Sequence, residues 1–345
     1  MLVLLLTTVL ASATVASAGD PFVCDGAYGS IDALLLNRSQ PSGRTFGVQE
    51  VVNRPTVLSG NDLDFDYEGG LRGTVGVRRG SRAYELVYAG LHDWDTDAAA
   101  IGENDISLPG DFGLASLDFF SADAIGASYG SEWHNVEANM WLDLPFGSGE
   151  RSTCCDAFDA CTGGCDSCDG CCCPPTSGLA MLLGVRTVHQ RESLGLVSLA
   201  DADTGAGSRY GVTTRNALVG AQTGLRGWRQ FGERLTVSAE GKAGLFANFN
   251  RQSQIARDFD NTLAIRDTRD TDVSTALVAD AELLARVKLT NSLNFRCGYV
   301  VTFFDNLALA PDQLDFTNLV TSGSSVNDNG SYYQHGFVFG LEANF

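Results

Sequence analysis

The stretch FDYEGGLRGTVGVR, residues 65–78, is apolar or small at every second position. Phe65, Tyr67, Gly69, Leu71, Gly73, Val75 and Val77 share one face, and Asp66, Glu68, Arg72, Thr74 and Arg78 make most of the other. Strand side chains point alternately to opposite sides, so this is a β-strand with one apolar and one charged face. It is more than twice the length of a soluble strand, about 5–6 residues. It also exceeds the roughly 9–11 residues a tilted strand needs to cross a bilayer.

Other segments repeat the pattern. In residues 234–248, Leu235, Val237, Ala239, Ala243, Leu245 and Ala247 oppose Thr236, Ser238, Glu240 and Lys242. In residues 272–288, Val273, Leu277, Ala279, Leu283 and Val287 oppose Ser274, Asp280, Glu282, Arg286 and Lys288. In residues 293–304 the apolar face is Leu293, Phe295, Tyr299, Val301 and Phe303. Ten strands follow, at about 27–38, 65–78, 82–91, 128–142, 179–190, 208–227, 234–249, 272–289, 293–304 and 332–345. Links after even-numbered strands are short, as at Arg79-Gly80-Ser81 and Thr290-Asn291-Ser292, and links after odd-numbered ones are long. Short periplasmic turns and long outer loops mark an outer-membrane barrel, and an even strand number leaves both termini in the periplasm. The 143–178 link breaks this rule. The expectation is an all-β, antiparallel transmembrane β-barrel of about ten strands, with twelve the alternative.

The chain's ends agree with export. Met1 to Val15 is nearly all Leu, Val, Ala and Thr, and Ala16-Ser17-Ala18 fits a signal-peptide cleavage site, so residues 1–18 read as a leader and 19–345 as the barrel domain. The last strand ends Phe337, Phe339, Leu341, Ala343, Phe345 on one face. A terminal aromatic on an alternating strand resembles the signal read by the barrel-assembly machinery. The 345 residues carry 42 acidic and 23 basic side chains, a formal charge of −19. A polyanion of that size is repelled by nucleic acid, which excludes that class of partner.

Several segments resemble the planctomycete porin-like outer-membrane β-barrel family. They are residues 133–139 (WHNVEAN), 214–222 (TRNALVGAQ), 241–248 (GKAGLFAN), 296–299 (RCGY) and 306–311 (NLALAP). The resemblance implies a porin-like barrel in the bacterial outer membrane and brings no catalytic residues or cofactor.

By face, Glu137, Arg215, Glu240, Lys242, Glu282 and Arg286 are expected to line the lumen, together with Asp280, Lys288, Arg296 and Glu342. They would set the charge selectivity of a narrow channel. Ten strands make a narrow barrel, because eight already leave an interior filled by side chains. The alternative is a structural or adhesive surface protein with a plugged barrel and function in loops 92–127 and 305–331. Either way the partners are outer-membrane lipid and the assembly machinery, with a homo-oligomer open. Tyr84, Tyr88, Trp94, Tyr210 and Trp228 fit an interfacial girdle, whereas Trp133 and Trp141 point inward by parity.

Eight of the ten Cys fall in the insert at about 150–176. Export favours disulfides. Cys165, Cys168, Cys171 and Cys173 also offer the spacing of a thiolate metal site, and a tolerated low-complexity insert is the third reading. Cys297 lies on the apolar face of its strand. No hydrolase or nucleotide-binding motif is present. His92-Asp93-Trp94-Asp95 is the nearest approach to a rim active site, and it reads better as a solvated loop, so no enzyme is expected.

Overall fold

The structure is a computed structural model that describes residues 25–110, 119–144, 177–201, 206–258 and 264–345. The leader, Cys24 and the cysteine-rich insert lie outside the described residues. Among the described residues there are twelve strands: β1 (Gly26–Arg38), β2 (Thr45–Gln49), β3 (Thr56–Ser59), β4 (Glu68–Arg79), β5 (Arg82–Ser107), β6 (Ala122–Leu144), β7 (Ser177–Asp201), β8 (Ala206–Phe231), β9 (Leu235–Arg257), β10 (Ala264–Lys288), β11 (Leu293–Leu307) and β12 (Gly330–Asn344). Ten form an antiparallel ring closed by β1 on β12 and β5 on β6, while the β2–β3 hairpin attaches to the far end of β5. Closure leaves the ring without an open edge, and each of its ten strands finds backbone partners on both sides as a bilayer demands.

The strands tilt. One row of partners starts at Leu142, at the turn end of β6, and runs through Met181, Leu225, Gly241, Ala281, Val301 and His335. It reaches Asn37 at the loop end of β1. A row that climbs as it goes round is the stagger a closed barrel requires. The turn between β4 and β5 is tight because Gly80 adopts a left-handed φ of 59° that a side chain resists.

Outward positions in the lower part of the ring are apolar and exposed: Leu71, Val75, Leu86, Val136, Val185, Leu245 and Leu283 among them. Phe337, Phe339 and Leu341 continue this belt on β12. An apolar outward band on a closed ring of strands is the surface that a lipid bilayer requires. No helix among the described residues is long and apolar enough to cross a membrane.

Higher up, the polarity of the two faces inverts. On β5, Tyr84 and Leu86 face outward below, whereas above it is Asp93 and Asp95 that are exposed and Trp94 that is buried. On β8, Leu225 and Val219 point to lipid, while Leu218, Val212 and Tyr210 point inside. Above the bilayer the outside meets water and the inside becomes the dry side, so alternation persists with its sense reversed.

This inversion corrects several expectations. The segments 92–127, 191–207 and 250–271, read as loops, are largely continuations of the ladder, with β5 pairing β6 as far as Ile101 and β8 pairing β9 to Arg209 and Arg257. Their outward polar residues make them look like loops. Trp94, Tyr210 and Trp228, expected in an interfacial girdle, are buried inside. Phe65 also turns inward, under the Arg38 guanidinium at 5.4 Å, because β4 begins only at Glu68 and the alternation does not extend to residue 65. Of the expected girdle Tyr84 is exposed, at the turn end of β5, and the other large exposed aromatics include Tyr67, Tyr299 and Tyr333 with Phe249 and Phe303. Cys297 is a free thiol, the one such cysteine among the described residues.

Candidate functional site

The inside of the barrel is filled at three levels. Nearest the periplasmic turns, Ala83, Trp141, Ala180, Leu182 and Trp228 pack into a small apolar cluster. Trp141 is tied to the layer above: its indole Nε1 donates to Glu85 Oε2 at 2.7 Å, and the Arg226 guanidinium lies 3.8 Å from its ring centroid.

The middle level is a layer of charge. Glu137 is its centre, with one carboxylate oxygen 3.0 Å from Lys242 Nζ. Asn135, Asn139 and Gln222 donate to it at 3.0, 2.9 and 2.9 Å. Arg186 stands between Glu137 and Asp280, 3.8 Å from the first and 2.5 Å from the second. On the other flank Lys242 meets Glu240 at 3.6 Å, and Arg226 bridges Glu240 at 2.6 Å to Glu85 at 3.7 Å.

A second chain of charges crosses from β1 to β12. Arg72 grips Glu282 with two parallel bonds of 2.6 and 2.9 Å and reaches Asp32 at 2.9 Å. Arg296 lies 3.5 Å from Asp32 and 3.3 Å from Glu342, which also faces Arg286 at 3.4 Å. These two networks set seven carboxylates against six cations, so the buried layer is close to neutral. A charge inside a barrel is tolerable only when it is paired, and each charged side chain of this layer has an opposite charge within 4 Å, although Asp32 Oδ1 and Arg296 Nε, 3.5 Å apart, make no hydrogen bond. The cavity left among these groups is about 100 Å3, room for a few waters.

The upper level is a dry core closed by a loop. Trp94, Tyr129, Trp133, Leu194, Tyr210, Phe246 and Phe304 point inward, and the segment 308–329 between β11 and β12 folds down among them, burying Ala308, Leu309, Ala310, Leu314 and Phe316. Four strands hold its backbone. Asn216 on β8 exchanges two bonds with Ala308, each 2.9 Å, and Gln254 on β9 donates to the Gln313 carbonyl at 2.7 Å. Arg266 on β10 reaches the Thr317 carbonyl at 2.6 Å. Glu192 on β7 accepts the Ala310 amide at 2.9 Å and also pairs with Arg38 at 2.6 Å across the lumen, both side chains fully buried. The Tyr332 ring lies under that guanidinium at 4.2 Å.

Five of the six residues expected to line the lumen lie on the inner face: Glu137, Glu240, Lys242, Glu282 and Arg286. Asp280, Arg296 and Glu342 are beside them. Arg215 is the exception. It is exposed on the outer surface, while its neighbours Thr214 and Asn216 are buried inside. It sits above the polarity inversion, where a charged side chain belongs outside. The sequence reading misses the partners Asp32, Glu85, Arg186 and Arg226 as lumen charges, although the same alternation carries them. The inward fold of 308–329, expected as an outer loop, has no periodic signal at all. His92 is buried against Trp94, ring centroids 4.9 Å apart, and so is not placed at a rim. The metal-ligand candidates Cys165, Cys168, Cys171 and Cys173 lie outside the described residues.

Together these features define a transmembrane β-barrel of the outer-membrane type, its lumen occupied by side chains and the 308–329 segment. Among solved structures the chain is similar to a major outer membrane protein from Thermus thermophilus, with 10% identity, 92% of this chain and 99% of that one covered, and a TM-score of 0.33. It is also similar to the translocator domain of the autotransporter NalP from Neisseria meningitidis, with 11% identity, 93% and 89% covered, and a TM-score of 0.36. The Ralstonia pickettii toluene transporter TbuX gives 10% identity, 96% of each chain and a TM-score of 0.23. No protein-family model matches the sequence, so the planctomycete resemblance gains no support from one, and no curated protein matches it either.

Proposed function

We propose that this protein is a closed structural barrel of the outer membrane, which displays the extended upper ends of its strands at the cell surface and does not act as a diffusion pore. The observation that carries the reading is the filled lumen: apolar cluster, charge layer and inward loop succeed one another with only a small polar cavity between them. A channel lined by Glu137, Glu240, Lys242, Glu282 and Arg286 would need those side chains facing water, and here each is committed to a partner. The surface it presents is the upper half of β5 to β10 and the β2–β3 hairpin. In this reading its partners are membrane lipid and the assembly machinery that reads the strand ending at Phe345, and no homo-oligomer is needed to seal it. In this reading the barrel is not an enzyme, and His92, from the motif nearest to a rim active site, is buried against Trp94.

Planar-bilayer recording of refolded, heat-modifiable protein tests the proposal. The expected trace is silent, and it stays silent when residues 308–329 are replaced by a short Gly-Ser linker, because the two lower levels remain. Reproducible salt-dependent steps from the intact chain would overturn the closed-barrel reading in favour of the narrow channel. Steps from the linker variant alone would show that the loop, not the charge layer, makes the seal.

A further inference from the structure

The outer surface just above the apolar belt is asymmetric. On β7, β8 and β9, Arg191, Arg215 and Arg251 are all exposed. They are direct cross-strand partners, Arg191 opposite Arg215 and Arg215 opposite Arg251. Side chains opposite one another in a sheet start about 4.5–5.5 Å apart, and like charges so placed destabilise the pair. None of the three makes an ion pair among the described residues. The acidic side chains at the same register lie to one side, Glu132 opposite Arg191 and Asp93 opposite Glu132, and none stands opposite Arg215 or Arg251.

Below the three arginines the same face is lipid-facing. Val185 precedes Arg191 on β7, Val219 follows Arg215 on β8, and Phe249 and Leu245 precede Arg251 on β9, all four exposed. The row therefore stands where a bilayer's headgroups begin. A molecule with an excess of 19 negative charges has placed three adjacent cations at that level.

We infer that Arg191, Arg215 and Arg251 form a docking site for the phosphate-bearing headgroup of an outer-leaflet lipid. A phosphate seated among three guanidinium groups cancels their mutual repulsion and accepts planar, bidentate hydrogen bonds. The lipid's acyl chains then cover Val219, Leu245 and Phe249 below. His189, exposed two residues below Arg191, lies on the edge of the same patch. The inference rests on the membrane placement of the barrel and stands whether or not the lumen conducts.

The test uses full-length protein refolded into phosphatidylcholine vesicles containing bis-phosphorylated lipid A, re-extracted in mild detergent, and read by native mass spectrometry for retained lipid. Wild type is expected to keep lipid A at least about tenfold better than the double variant Arg215→Gln/Arg251→Gln. The double variant Arg215→Lys/Arg251→Lys should keep most of it. Arg229→Gln, an exposed arginine at the opposite end of β8, should change nothing. A second readout separates this site from mere surface charge. In phosphatidylcholine alone the Gln variant should resist urea better than wild type, and with lipid A present the order should reverse. Equal retention by wild type and the Gln variant would overturn the proposal. So would equal retention of dephosphorylated lipid A, or an excess of inorganic phosphate displacing the lipid completely, which would mark a site for the free ion.

Discussion

Replacing Glu137 with Ala is expected to destabilise the barrel by about 3–5 kcal/mol, the range for removing one member of a buried ionic network. The carboxylate accepts from Lys242, Asn135, Asn139 and Gln222 and lies close to Arg186. Without it, Lys242 keeps only Glu240 at 3.6 Å, and three amide donors lose an acceptor inside a nearly dry lumen. The cost comes from what is left behind, not from the strength of one bond. Urea titration in detergent micelles, followed by tryptophan fluorescence, measures it directly. Trp133 and Trp141, both inside, report the unfolding. The double variant Glu137→Ala/Lys242→Ala should lose clearly less than the sum of its parts, because the second change removes the cation stranded by the first. Full additivity would mean that the charge layer is hydrated and its pairs are nearly independent.

Gly336→Val should prevent closure of the ring. Gly336 and Gly340 lie on β12 and face inward on either side of the lipid-facing Phe337 and Phe339. A Cβ at Gly336 would stand 2.0 Å from the Leu35 carbonyl oxygen and 2.9 Å from Leu36 Cα, both backbone atoms of β1. At Gly340 it would meet the Ile31 carbonyl at 2.4 Å. These contacts fall on the seam where the first strand pairs the last, and no side-chain rearrangement relieves a clash with backbone. Glycine in a strand interior costs conformational entropy and is kept where a neighbouring backbone comes close. The folded, heat-modifiable fraction on a gel should fall to a small remnant for Gly336→Val, with Gly336→Ala intermediate. Gly73 on β4 is a control, since a Cβ there meets nothing within 4 Å. Gly73→Ala should fold like wild type, and if Gly336→Val does too, β1 and β12 pair more loosely than the register implies.

Both predictions concern the inside of the ring, where sequence and structure part company. Alternation over residues 65–78, 234–248, 272–288 and 293–304 is a local property. Lipid on one side and a polar lumen on the other impose it residue by residue, so the ten ring strands and the inward positions of Glu137, Glu240, Lys242, Glu282 and Arg286 are legible in the chain alone. The same rule misplaces Arg215. Its strand crosses from lipid to water, and the sense of polarity reverses where the solvent outside changes. The lengths of β5 to β10 are underestimated for the same reason.

Three things belong to the tertiary structure. Which carboxylate meets which cation depends on register and tilt around the closed ring, as with Glu137 and Lys242, which are 105 residues apart. The inward fold of 308–329 depends on acceptors and donors from β7, β8, β9 and β10 that converge only once the ring has closed. The adjacency of Arg191, Arg215 and Arg251 is likewise a matter of register between strands. That the chain makes a membrane barrel is written into it locally, because a strand's two faces respond to the solvent on each side. That its lumen is filled follows only from closure, because the filling contacts run between strands and no single stretch of sequence contains them.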